Sequence, residues 1–328
     1  MSLDGKKVLV TGAGGFIGSH LSERLVECGA STRALVHYNA LGRRGWLDES
    51  PLRDDMDIIA GDICDRDSVK NAMKDVDIVF HLAALIAIPY SYAAPASYVR
   101  TNVEGTLNVL QCARELGTQR VLHTSTSEVY GSALRVPIDE EHPLQGQSPY
   151  SASKIGADKM VESFYRSFGV PVVTVRPFNT FGPRQSARAV IPTIISQCLA
   201  GKEKIHLGSL TPKRDMNFVL NTANGYLAAA QSDKAIGRTI NFGSGREISI
   251  GDLARLIIDL TGSKAEIECE EERQRPEKSE VNRLLADNSL ALELTGWKPE
   301  ITLEEGLAQT IEWMKSNLEK YRPNEYTT

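Results

Sequence analysis

The chain has 328 residues, of which 41% are hydrophobic and 24% charged, with a formal net charge of −5. That length holds one large domain or two moderate ones, and the composition is that of an ordinary soluble globular protein. The acidic balance argues against nucleic acid or an anionic membrane as partner, no apolar stretch is long enough to span a bilayer, and no signal-peptide pattern leads the chain. Cys28, Cys64, Cys112, Cys198 and Cys269 are scattered, odd in number and without metal-ligand spacing, so no metal is expected and a reducing cytoplasm is the expected compartment.

In chain order, Val8-Leu9-Val10 is an apolar run that breaks into Thr11-Gly12-Ala13-Gly14-Gly15-Phe16-Ile17-Gly18, and Ile17, Leu21 and Leu25 recur at helical spacing before Gly29. Strand, glycine turn and helix in this order make a phosphate cradle, in which glycines admit a pyrophosphate and the helix start offers N–H groups. The expected dinucleotide contacts here are Gly12, Gly15, Phe16, Ile17 and Gly18. The next strand, Thr32–Val36, does not end in the acid that would hold the ribose 2′-hydroxyl of NAD; His37 follows, then Arg43 and Arg44. Those cations fit the 2′-phosphate of NADP or an ordinary solvated loop, and the cofactor is read as NAD or NADP.

A third run, Met56–Ala60, ends in Gly61-Asp62-Ile63. Asp62 suits an adenine amino group or the cap of a helix starting near Ser68. The fourth run, Ile78–Leu82, leads into Ala83 and Ala84, small enough for a cofactor to lie against the backbone. Ser97–Leu116 is a helical pattern, Arg120–His123 a fifth strand, Val172–Val175 a sixth and Thr239–Phe242 a seventh. Strands alternating with helical segments predict a doubly wound α/β fold whose ligands sit beyond the carboxyl ends of a parallel sheet. Past Pro177 the pattern turns irregular and reads as short helices and loops, with 270–275 a solvated charged run and Tyr321–Thr328 a frayed tail. The expected division is a dinucleotide-binding domain of residues 1–178 and 220–250, and a smaller mixed α/β domain of 179–219 and 251–328.

Chemistry concentrates between Thr126 and Lys154. Thr126-Ser127-Glu128 sets hydroxyls beside a carboxylate just past the fifth strand, and Tyr150 and Lys154 stand at i and i+4 on one helical face. An ammonium beside a phenol favours phenolate, a competent base near neutral pH.

Gly12-x-x-Gly15-x-x-Gly18, Tyr150-x-x-x-Lys154 and Arg176-Pro177-x-Asn179 together resemble the extended short-chain dehydrogenase/reductase superfamily over nearly the whole chain. The resemblance implies a Rossmann-type domain, a nucleotide-sugar substrate, and an NAD(P) reduced and reoxidised within each turnover. It implies that Tyr150 takes the proton of the sugar 4-hydroxyl, with Lys154 lowering its pKa. Thr126-Ser127-Glu128 resembles the form in GDP-mannose 4,6-dehydratases and implies that Glu128 removes the carbon 5 proton; dTDP-glucose enzymes carry an Asp where Ser127 stands. By position within the superfamily, Asn179, Arg184, Arg214 and Arg275 are the expected substrate contacts, and Asp215 a structural partner for Arg214 or a helix cap. The segments His81–Tyr92 and Ser186–Pro192 resemble dehydratases of legionaminic-type pathways, implying UDP-N-acetylglucosamine ahead of a GDP-sugar. UDP-glucuronate decarboxylases, 4-epimerases and a cofactor-binding protein without catalysis are the alternatives. The superfamily also implies a homodimer through the helices around Ser97–Leu116 and Ser151–Phe168.

Overall fold

The computed structural model describes residues 1–273 and 276–323. Among these residues, twelve strands form three sheets. They are β1 (Lys7–Thr11), β2 (Ser31–His37), β3 (Met56–Gly61), β4 (Ile78–His81), β5 (Arg120–Thr124), β6 (Val172–Pro177), β7 (Asn179–Phe181), β8 (Lys204–Leu207), β9 (Lys213–Phe218), β10 (Thr239–Phe242), β11 (Glu247–Ser249) and β12 (Glu266–Cys269).

The main sheet has seven strands in the order β10-β6-β5-β4-β1-β2-β3, all parallel. Its strands are apolar on both faces, as burial under helices on each side requires. Val8 and Val10 of β1 enter one core while Leu9 enters the other, and Ile78, Phe80 and Val79 of β4 divide in the same way. The chain winds outward from β1 to β3 and then crosses back to β4, opening a crevice at the carboxyl ends of β1 and β4. Thr11 locks that crevice: its hydroxyl accepts the N–H groups of Leu82 and Ala83, each at 3.1 Å.

The region after Pro177 is more ordered than its sequence pattern predicts. A three-stranded sheet, β11-β9-β7, and a parallel β12-β8 pair stand beside the main sheet. With the helices Val190–Leu199, Ile250–Thr261 and Leu303–Lys315 they enclose a second core around Phe181, Ile194, Ile195, Phe218, Leu253 and Leu307. The expected frayed tail is corrected at its start: Tyr321 is buried in this core and donates to Gln185 O at 2.9 Å, while residues 324–328 lie outside those described.

The pattern over Ser97–Leu116 resolves into the helices Pro95–Tyr98 and Gly105–Leu116 with a π-helical stretch, Val99–Glu104, between them. The stretch carries the buried Asn102, whose side chain accepts from Leu85 N at 2.9 Å and donates to Leu85 O at 3.0 Å and to Ser153 Oγ at 2.9 Å. The loop after β4 is thereby tied to the Tyr150 helix.

Candidate active site

One cleft of about 1140 Å³ runs along the carboxyl edge of the main sheet and under the second core. Gly12, Gly15, Phe16, Ile17 and Gly18 line one wall, with His37, Asp62, Ile63, Leu82, Ala83 and Ala84 around them. Gly12 has φ +72°, and a Cβ there would stand 2.8 Å from Ala83 N, so only glycine lets β1 turn this tightly beside β4. The helix Phe16–Glu27 begins at this turn with no side chain capping its first N–H groups. Close glycine packing and an uncapped helix start fit the pyrophosphate of a dinucleotide. Asp62 does not cap the next helix; Asp65 does, accepting from Asp67 and Ser68 N–H. Asp62 instead receives the Cys64 N–H at 2.9 Å and lines the cleft.

Thr126, Ser127, Glu128, Tyr150 and Lys154 meet further along the same cleft. β5 delivers the first three: it ends at Thr124, and the chain turns into a 3-10 helix, Ser127–Tyr130, whose first turn Thr126 caps by accepting Glu128 N–H at 3.2 Å. The helix Pro149–Phe168 delivers Tyr150 and Lys154. Proline stands at its start, and a capping box between Ser148 and Ser151 fixes where it begins.

Tyr150 is buried against Tyr98 and Ile88, with the Tyr98 ring edge-on at 6.3 Å between centroids. Burial raises its phenol well above the ordinary tyrosine value; a hydrogen bond with Thr126 pulls it down, and the nearby negative charge of Glu128 pushes it up. The Lys154 ammonium donates to Thr124 O at 2.6 Å. Burial lowers Lys154 itself to about 8, against the pull of Asp158 one turn further on.

Asp158 anchors a buried network that the sequence reading missed. It accepts from His123 Nε2 at 3.1 Å, Ser125 Oγ at 2.7 Å and Arg176 at 2.9 Å, and Arg176 also donates to the Tyr130 hydroxyl at 2.9 Å. The spacing Tyr150, Lys154, Asp158, each one helical turn apart, was the available signal.

The expected substrate contacts divide. Asn179 and Arg214 line the cleft. The Asn179 side-chain nitrogen is buried without a hydrogen-bond partner, a group that a ligand oxygen would satisfy. Arg214 is buried and pairs with Glu280 at 2.9 Å. Arg184 is corrected: it does not line the cleft, because both arms of its guanidinium grip Glu23, at 3.0 and 2.9 Å. Arg275 lies outside the described residues, but Arg273, two positions before it, lines the cleft and corrects the reading of this run as wholly solvated. Asp215 is structural, with different partners from those expected. It is buried and accepts the N–H groups of Ser244 at 2.6 Å, Gly245 at 3.0 Å and Ala286 at 3.1 Å. Gln185, His206 and the apolar stretch Leu85–Pro89 also line the cleft without having been singled out as site residues, and Arg188 lines it as well.

The sequence profile of GDP-mannose 4,6 dehydratase matches residues 9–310. UDP-glucuronic acid decarboxylase 1 of Xenopus tropicalis is 33% identical over 98% of this chain and 75% of its own length. The dTDP-glucose 4,6-dehydratase DesIV of Streptomyces venezuelae, solved with NAD bound, superposes with a TM-score of 0.88 at 28% identity, covering 97% of this chain and 100% of that one. A UDP-N-acetylglucosamine 4-epimerase of Methanobrevibacter ruminantium M1, solved with UDP-N-acetylmuramic acid, gives 0.86 at 32% identity, covering 96% and 99%. The chain therefore belongs to the GDP-mannose 4,6-dehydratase family, among the NAD-dependent enzymes that dehydrate, epimerise or decarboxylate nucleotide-linked sugars.

Proposed function

We propose that this protein is a nucleotide-sugar 4,6-dehydratase, with UDP-N-acetylglucosamine as the favoured substrate, as in legionaminic-type pathways. The observation that carries the reading is the position of one carboxylate. Among the described residues that line the cleft, the acids are Asp62, Glu128 and Glu280. Asp62 follows β3 beside the glycine turn and Glu280 pairs with Arg214, so Glu128 alone stands with Tyr150.

A dinucleotide held by the glycine turn would supply the hydride acceptor at sugar carbon 4 and the hydride donor at carbon 6, with a solvent proton at carbon 5 completing the product. The chain's own residues move the protons. Tyr150 takes the proton of the 4-hydroxyl, and its hydrogen bond with Thr126 stabilises the resulting phenolate. The carbon 4 ketone acidifies carbon 5, from which Glu128 removes a proton. Ser127 is a buried hydroxyl where dTDP-glucose enzymes have a second acid, so Glu128 passes its proton to the departing 6-hydroxyl, and water leaves with the charge balanced. Arg214 and Arg273 hold the diphosphate, for which guanidinium is suited by its paired donors. Leu85–Pro89 offers an apolar surface to an acetamido methyl group.

One observation favours a second reading. Arg188 lines the cleft, and its charge reaches the Tyr98 hydroxyl, whose ring packs on Tyr150. A cation there suits the carboxylate of UDP-glucuronate and hence decarboxylation. Incubation with each nucleotide sugar separates the two. A 4-keto-6-deoxy product from UDP-N-acetylglucosamine is the expected result. Carbon dioxide from UDP-glucuronate, with no dehydration of any UDP- or GDP-hexose, would overturn it.

A further inference from the structure

Tyr150, Lys154 and Asp158 follow one another at one-turn intervals along the helix Pro149–Phe168, and all three are buried. Three consecutive residues at the end of β5 meet them. The Thr126 hydroxyl bonds Tyr150, the Thr124 carbonyl accepts the Lys154 ammonium at 2.6 Å, and the Ser125 hydroxyl donates to Asp158 at 2.7 Å. The first two contacts reach Tyr150 and Lys154 themselves. The third lies one turn behind them.

Ser125 is held from two sides. Its N–H donates to Val175 O at 2.7 Å, which ties it to β6, and its hydroxyl reaches across to the helix. Asp158 is fixed in turn by Arg176, which donates from Nη2 at 2.9 Å and from Nε at 3.3 Å, and by His123 Nε2 at 3.1 Å. A hydroxyl donating to a carboxylate makes a short, charge-assisted bond. Ser125 and Asp158 are only 3% and 5% exposed, so water does not stand in for that bond if it is lost.

We propose that Ser125 and Asp158 are a positioning pair: their bond sets the end of β5 against the helix, and so brings the Thr126 hydroxyl to the Tyr150 oxygen and the Thr124 carbonyl to the Lys154 ammonium. This role presupposes that Tyr150 takes the proton of the 4-hydroxyl, and it applies whether elimination or decarboxylation follows at the sugar. Burial raises the Tyr150 phenol, the Thr126 bond lowers it, and the charge of Glu128 raises it again. Tyr98 from the helix Pro95–Tyr98, Tyr226 from the helix Val219–Gln231 and Asp158 from its own helix also face the phenol. If the end of β5 drifts, the Thr126 bond weakens. The phenol then rises further, and less phenolate is present at a given pH.

Ser125→Ala removes the bond while Arg176 and His123 still hold Asp158. NAD-loaded protein is mixed with UDP-N-acetylglucosamine over a range of pH and followed by near-ultraviolet absorbance, and calorimetry gives the affinities for NAD and the nucleotide sugar. Nicotinamide reduction should slow about ten- to hundredfold near neutral pH, the cost of a small misplacement in a reacting site, with both affinities within about twofold of the parent. The acid limb of the reduction rate should move to higher pH. Ser125→Thr keeps the donor and should bring rate and limb back close to the parent. An unmoved limb in Ser125→Ala overturns the proposal, and so does a loss of affinity in step with rate, because Ser125 would then act through the fold. A limb displaced equally in Ser125→Thr overturns it too, since the bond would not be the cause. Tyr150→Phe is read separately: if it reduces nicotinamide as fast as the parent, the assignment of Tyr150 falls and this proposal with it, whatever the Ser125 variants do.

Discussion

Glu128→Gln separates the two halves of the proposed reaction. The change keeps shape and leaves the Thr126 hydroxyl holding the position 128 N–H, so the 3-10 turn Ser127–Tyr130 should stand. Two effects follow, of opposite sign. The base for carbon 5 is lost, which by the usual worth of a positioned base slows elimination about 10²–10⁴-fold, roughly 3–5 kcal/mol of barrier. The charge that raises Tyr150 is lost as well. The phenol pKa therefore falls, the phenolate fraction at a given pH rises, and oxidation at carbon 4 is not slowed; its acid limb moves to lower pH. Stopped-flow mixing of the cofactor-loaded variant with UDP-N-acetylglucosamine reads both steps. Near-ultraviolet absorbance follows the reduced nicotinamide, and mass spectrometry follows loss of water from the sugar. The absorbance should rise and persist while dehydrated product fails to form. Product at the parent rate refutes Glu128 as the base, and absence of the absorbance rise refutes the assignment of oxidation to Tyr150 alone.

Tyr150→Phe should slow the oxidation itself by about two to four orders of magnitude, measured as single-turnover nicotinamide reduction. Arg184→Gln should lower stability through loss of the Glu23 pair, both partners being largely buried, while KM for the nucleotide sugar stays at the parent value in steady-state assays. Asp158→Asn leaves the buried Arg176 guanidinium short of its counter-charge and should cost about 3–5 kcal/mol in urea unfolding. Stability should also fall in acid. His20 is lowered by burial to about 4, so between that value and the unfolded 6.5 the unfolded chain binds a proton that the folded chain refuses. Its contribution is intact above that window, is lost as pH falls through it, and amounts to about 3 kcal/mol at the lower end. His81 and His123, also buried and lowered, act in the same direction. Urea midpoints at neutral and acidic pH should show a smaller drop for His20→Gln than for the parent.

The strands of the main sheet are legible because a parallel sheet covered on both faces needs unbroken apolar runs, which β1, β4, β5 and β6 supply. Their ends read short where polar residues take over: Thr11, His37 and Thr124 belong to the strands, and all but Thr11 line the cleft. The proposed catalytic pair was equally readable, since Tyr150 and Lys154 are joined by a single helical turn. The second sheet was not. β9 spells Lys-Arg-Asp-Met-Asn-Phe, a polar run by sequence, yet Arg214, Asp215 and Asn217 are all buried in it. Asp215 is satisfied by Ser244 and Ala286, 29 and 71 residues downstream, a remedy that no local pattern announces.

The same reasoning explains why the cations were the weakest part of the sequence reading. Arg184 and Arg214 look alike beside their motifs, but Glu23, 161 residues away, takes the first out of the cleft, while Glu280 holds the second within it. Whether an arginine can meet a phosphate depends on which carboxylate the fold brings to it. For Arg43 and Arg44 the fold brings none within the described residues and holds their backbone against the glycine turn.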